Sequence, residues 1–187
     1  MSQGDDDLPH RKITRLPWYD YAGRGGYSVT ICTWQRAELF GKIYDGKMLM
    51  SREGEIAASD WLQIPTHYPK IVLNVFVIMP NHMHGILFLP QAEYDEALRI
   101  GPDTASRVPT RTFGPLHPCS LHTIVGNYKA GVTRKIRATV NQPIIVWQSR
   151  FHEHIIRDEV DLSNHQQYIK NNPSNWERDK HNPDFVE

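Results

Sequence analysis

Two histidines one residue apart, His82-Met83-His84, open the apolar run Gly85-Ile86-Leu87-Phe88-Leu89. Side chains alternate across a β-strand, so residues two apart project from the same face. On a strand, His82 and His84 could both reach one metal ion while Met83 points the other way. Imidazole suits several divalent metals, and two histidines do not select among them. The chain holds ten histidines, so an isolated His-x-His is weak evidence. Its surroundings strengthen it: a Pro80-Asn81 turn and apolar segments on both sides put a polar pair on an otherwise buried sheet, where it needs partners or a task. A second pair, His152-Glu153-His154, reads first as a surface strand with a hydrogen-bonded His154, and alternatively as a further ligand or phosphate contact.

The elements that must carry these residues follow from periodicity. Tyr27–Trp34 is rich in β-branched and aromatic residues and predicts a strand. Lys42–Met50 predicts a shorter one with a turn at Asp45-Gly46. Ser51–His67 carries Ile56, Ala57, Trp61 and Ile64 at helical spacing and is closed by Pro65 and Pro69. Ile71–Met79 and His82–Leu89 predict paired strands. Ser120 can cap a helix to about Ala138, with Leu121, Ile124, Val125, Val132 and Ile136 as its apolar positions. His154–Arg157 predicts a last strand, and Asp161–Asn171 a third helix stopped before Pro173. Trp34, Trp61 and Phe76 are assigned to the core. The order ββαββα suits an α+β fold, an antiparallel sheet with helices on one face. The expected organisation is an irregular basic segment 1–26, one domain 27–172 with a long loop 90–118, and a C-terminal tail 173–187.

Composition is that of an ordinary globular chain: 187 residues, 40% hydrophobic, 22% charged and net charge zero. No apolar run reaches the length of a membrane span, and the polar MSQGDDDLPHRK start does not read as a secretory signal, so the expectation is a cytoplasmic protein with no membrane partner. Cys32 and Cys119 form no CxxC pair and read as small buried hydrophobes. The charge is uneven. Between Arg107 and Arg150 there are seven Lys/Arg and no Asp or Glu, and Arg11, Lys12, Arg15 and Arg24 make the N-terminal segment basic. Such a stripe can attract phosphates; otherwise it is a solvated face. Trp18, Tyr19 and Tyr21 beside those N-terminal charges offer rings for base stacking or for packing.

Four blocks resemble one family. Val77–Leu87 is similar to the histidine–hydrophobic–histidine (HUH) segment of single-tyrosine transposases, in particular REP-associated tyrosine transposases and their insertion-sequence relatives. Arg11–Tyr21 followed by Tyr27–Thr33 resembles the opening segment. Ser120–Arg134 resembles the helix after the loop. Trp147-Gln148, Glu153–Arg157 and Tyr168–Pro173 with Trp176 resemble the C-terminal block. The resemblance covers most of residues 11–183.

It implies a ferredoxin-like (RRM-like) fold with both histidines on a central strand. It also implies Mg²⁺ or Mn²⁺ at His82 and His84, and a single-stranded or hairpin DNA substrate. The chemistry would be tyrosine attack on a backbone phosphate, leaving a 5′-phosphotyrosine and a free 3′-hydroxyl that can be rejoined. A phenol titrates near pH 10 and needs help to act. Tyr128 is ranked first as nucleophile, because its helix sits where the family places its catalytic helix; Tyr168 is second. Many relatives draw a third metal ligand, Gln or Asn, from the tyrosine's helix, where Asn127 is the substitute at hand. Lys129, Arg134 and Lys135, with Arg11, Lys12 and Arg15, are the expected DNA contacts. Relatives are monomers or dimers, which leaves a homodimer open. Two rivals remain: an inactive, domesticated nucleic-acid-binding module of the same fold, and a hydrolytic metalloenzyme using His82, His84 and a nearby carboxylate.

Overall fold

The computed structural model describes residues 25–89 and 120–183. β1 (Gly25–Cys32), β4 (Val72–Met79), β5 (His82–Leu89) and β6 (His152–Ile156) form one sheet in the order β4-β5-β1-β6, with every neighbour antiparallel. β2 (Gly41–Tyr44) and β3 (Lys47–Met50) form a separate hairpin where the sequence predicts one strand with a turn. Asp45 (φ 49°) and Gly46 (φ 67°) both adopt the left-handed conformation that a two-residue hairpin turn requires.

Helix α1 (Arg52–Leu62) starts where the Ser51 hydroxyl accepts the Gly54 amide at 3.1 Å, with Glu53 and Glu55 in its positively polarised first turn. It breaks at Gln63, and Pro65 lies in the first turn of the short α2 (Ile64–His67). α3 (Leu121–Val140) is capped by Ser120, whose hydroxyl accepts from the Thr123 amide at 3.3 Å. It ends at a left-handed Asn141, φ 51°. α4 (Glu159–Asn171) is capped by Asp158 and followed by a 3-10 segment, Pro173–Arg178. Among the described residues no helix is long and apolar enough to cross a membrane.

The two faces of the sheet have different jobs. Tyr27, Val29 and Ile31 of β1 and Met83 and Leu87 of β5 enter the main core with Ala57 and Trp61 of α1 and Ile124, Tyr128, Val132 and Ile136 of α3. This is the ferredoxin-like layering of two helices on one sheet face. α4 is an addition that packs across the opposite face, where His84 meets Tyr168. Trp61 and Phe76 are core or packed against it, as the sequence predicts, whereas Trp34 is 43% exposed. The chain leaves β1 there in a 3-10 turn with left-handed Gln35 and Arg36, which swings the indole outward.

Tyr128 belongs to the core. It is only 5% exposed, stacks edge-on against Trp61 at 5.3 Å, and donates its hydroxyl to the Ala57 carbonyl at 3.1 Å. Burial holds its phenol well above the usual tyrosine range. Alternation along β5 puts Met83 and Gly85 on this side and His82 and His84 on the other. The expectation that Tyr128 serves the histidine pair is therefore corrected: the sheet stands between them.

Gly85 lets the indole approach: a Cβ there would lie 2.5 Å from Trp61 Cζ2. Gly85→Ala is expected to destabilise the fold by about 1–3 kcal/mol, read by thermal or urea unfolding. Unchanged stability would contradict this packing.

Candidate active site

His82 and His84 lie on β5 against β1, with Cys32 opposite His82 and Thr30 opposite His84. Both are almost completely buried, at 0% and 4% exposure, and their Nε2 atoms converge to 3.0 Å. Their outer nitrogens are held. His82 Nδ1 lies 2.8 Å from Asn81 Oδ1, an acceptor, so the ring proton sits on Nδ1 and Nε2 presents its lone pair. Asn81 is fixed in that orientation because its Nδ2 donates to the carbonyls of Arg36 (3.1 Å) and His181 (2.7 Å). His84 Nδ1 lies 2.7 Å from the Thr30 hydroxyl, which can donate or accept. When Thr30 accepts, both Nε2 lone pairs face the same point. When Thr30 donates, the His84 Nε2–H bridges to His82. A hydroxyl at this place lets the pair close on itself or open to a cation without moving a ring.

Asp179 supplies a carboxylate. Its Oδ2 is 3.9 Å from His82 Nε2, and its Oδ1 accepts the His181 amide at 2.7 Å. His82, His84 and Asp179 form a group whose ligand atoms could hold one metal ion. Two neutral nitrogens and one carboxylate oxygen suit a divalent ion of intermediate hardness. The segment that brings Asp179 is residues 173–183, which folds onto the sheet instead of trailing away: Trp176 is buried and stacks on His82 at 6.1 Å, and His181 lies 4.6 Å from it, ring to ring. Burial, followed by the charge of neighbouring histidines, pushes His82 well below the usual histidine range and His84 down to about 3. Both rings are neutral at pH 7.

Tyr168 of α4 meets His84 ring to ring at 5.2 Å, edge-on, and is 48% exposed. Together they line an open cavity of about 410 Å³ that also receives Arg36, Lys180 and His181. Burial and then Asp179 raise the Tyr168 phenol, against a hydrogen bond from Asn172 that lowers it. The Arg36 guanidinium donates to the Lys180 carbonyl at 2.8 Å, so two basic side chains stand at the cavity mouth.

Of the residues singled out in the sequence, His82, His84 and Tyr168 come together and Tyr128 does not. The basic residues of α3 are elsewhere too. Lys129 is committed to the carbonyls of Gln148 (2.7 Å) and Ser149 (3.1 Å), and Lys135 is paired with Asp60. Arg134 is exposed on the same helix, on the side of the sheet away from the histidine pair. These three are no part of the cavity; Arg36 and Lys180 take that place. Arg11, Lys12 and Arg15, the rings at 18, 19 and 21, Cys119 and the 90–118 segment lie outside the described residues, apart from Leu89 before it. Asn127 donates to the Tyr68 hydroxyl at 2.6 Å on the α1/α3 side and is not a ligand to the pair. Sequence reasoning missed Thr30, Asn81, Asp179 and His181. The only local signal was Asp179-Lys180-His181, a second pair of ligand-type residues two apart.

Neutral burial of His82 and His84 has a pH signature. The unfolded chain takes up protons below about pH 6.5, and the folded pair refuses them. Stability is therefore full above that pH and is lost as pH falls toward the depressed folded values. The slope is up to about 1.4 kcal/mol per pH unit for each histidine. Metal-free urea unfolding at pH 7.5, 6.5 and 5.5 should show the fall, and His84→Gln should flatten it. A pH-independent wild type would contradict the neutral pair.

Similarity to known proteins agrees with this fold. No family model matches the chain. An uncharacterized protein of Haemophilus influenzae Rd is 34% identical over 173 residues, 92% of this chain and 93% of its own. A second protein of the same organism, "Putative REP-associated tyrosine transposase", is 32% identical over 115 residues, 62% of this chain and 56% of its own. A solved REP-associated tyrosine transposase bound to a REP hairpin superposes with a TM-score of 0.55 at 18% identity, over 87% of this chain and 74% of that one, which shows a shared fold. The chain is thus similar nearly end to end to one relative, over part of its length to a protein that carries the REP-associated tyrosine transposase name, and in fold to a solved member of that family.

Proposed function

We propose that this chain nicks and rejoins single-stranded DNA as a transposase, with Tyr168 as nucleophile and Mg²⁺ or Mn²⁺ at His82, His84 and Asp179. The observation that carries the proposal is the half-exposed Tyr168 ring set against His84, beside two buried imidazoles whose Nε2 atoms converge. The solved neighbour is bound to a REP hairpin, which supports a hairpin or single-stranded DNA substrate for this chain.

In the proposed reaction the Tyr168 oxygen attacks a backbone phosphorus. The P–O3′ bond breaks, the 3′ oxygen leaves as a hydroxyl after taking up a proton, and the phenol proton is lost to solvent. The strand's 5′ end stays on the enzyme as a phosphotyrosine, and attack by another 3′-hydroxyl reverses the step and frees the phenol. A bound Mg²⁺ or Mn²⁺ would polarise the phosphate oxygens and offset charge on the leaving oxygen. Arg36 and Lys180 at the cavity mouth would hold the anionic backbone. Asn81 and Thr30 would keep the histidine rings aimed, and such outer partners commonly govern metal affinity.

The test is covalent capture: full-length protein, Mn²⁺ and a single-stranded or hairpin oligonucleotide, analysed by denaturing gel and peptide mass. Wild type and Tyr128→Phe are expected to form the adduct, the latter with about 1 kcal/mol less stability from its lost hydrogen bond. Tyr168→Phe is expected to lose the adduct while remaining folded. An adduct surviving in Tyr168→Phe would refute the assignment. Salt-sensitive DNA binding with no adduct in wild type would favour a binding module instead.

A further inference from the structure

His154 from β6 and His165 from α4 also line this cavity, and Asp161, one turn before His165 on α4, converges with them as a third ligand-type side chain. His154 Nε2 lies 3.1 and 2.9 Å from the two Asp161 oxygens, and His165 Nε2 lies 3.5 Å from Asp161 Oδ1. The carboxylate is fixed, because Oδ2 also accepts the Arg157 amide at 3.0 Å. The two imidazoles stack at 4.3 Å with only 21° between their planes, so both present Nε2 to the same carboxylate. A single histidine would be enough to satisfy Asp161. A second imidazole stacked face to face on the first, aimed at the same oxygens, is an arrangement that one shared cation explains.

We infer that His154, Asp161 and His165 form a second divalent-cation site, of the zinc type, that ties α4 to β6. The three ligand atoms lie within 4.8 Å of one another. A tetrahedral ion with bonds of about 2.1 Å needs them roughly 3.4 Å apart, so side-chain adjustments of at most about 1.4 Å close the site. All three side chains are only partly buried, which leaves an entry path and a fourth position for water. The donor set of two imidazoles and one carboxylate is that of open zinc sites. His165 precedes Tyr168 by nearly one helical turn, so an ion here would also fix the part of α4 that lines the cavity. The site does not depend on the activity proposed above.

The test uses the full chain and Zn²⁺ alone, with Co²⁺ as a spectroscopic probe. His82→Gln/His84→Gln is expected to retain one Zn²⁺ by calorimetry, to gain thermal stability on Zn²⁺ addition, and to give the visible bands of tetrahedral Co²⁺. Adding His165→Gln or Asp161→Asn is expected to abolish all three. Should the double variant not fold, the same substitutions in wild type are expected to remove one bound Zn²⁺ and leave binding at His82/His84. Zn²⁺ binding that survives both His165→Gln and Asp161→Asn unchanged, or no Zn²⁺ bound once His82 and His84 are replaced in a folded variant, would overturn the inference. A wild type whose only Zn²⁺ is lost in His165→Gln would support this site and count against the other.

Discussion

Two neutral imidazoles held nitrogen to nitrogen on a buried sheet face are the constraint around which the rest of the molecule is arranged. Neither ring is free to turn away, because Asn81 and Thr30 hold the outer nitrogens and the flanking strand fixes the backbone. Unpaired, such polar groups would carry a desolvation cost of about 1–3 kcal/mol each. Their partners therefore lie in several parts of the chain: β1 gives Thr30, the β4–β5 turn gives Asn81, and residues 179–181 give a carboxylate and a further imidazole. A fold that keeps these groups together around two lone pairs is well suited to hold a cation.

The sheet divides labour between its faces. One carries the hydrophobic load, with Trp61 pressed against Gly85 and Tyr128 between α1 and α3. The other carries polar side chains in rows: Thr30 lies opposite both His84 and His152, and Ser28 lies opposite His154. α4 crosses only part of this second face, which leaves the cavity where Tyr168, His84 and His165 meet solvent. Tyr168 on this side is half exposed, whereas Tyr128 on the core side is buried.

Much of this was legible from residue patterns, because local physics fixes it. β5 begins and ends where the apolar run does, Ser120 caps α3, and Asp45-Gly46 turns the hairpin. Alternation alone placed both histidines on one side. It also held the information that Tyr128 faces inward: Leu121, Ile124, Val125, Tyr128, Val132 and Ile136 form a single helical stripe, and that stripe is buried along its length. Weighting the place of the family's catalytic helix over the apolar period of α3 led to a tyrosine that faces the core. What no pattern could supply were contacts between distant segments. Asp179 reaches His82 only because residues 173–183 fold back across the sheet, and Arg36 reaches the cavity through a turn with two left-handed residues.

The claim that His82 and His84 jointly grip a cation is tested most directly by crystals grown with Mn²⁺ and measured at the manganese absorption edge. The account predicts an anomalous peak between the two Nε2 atoms, about 2–2.3 Å from each, with an Asp179 oxygen alongside. No peak at that point, with the two rings turned apart or still bridged to each other at saturating Mn²⁺, would contradict it.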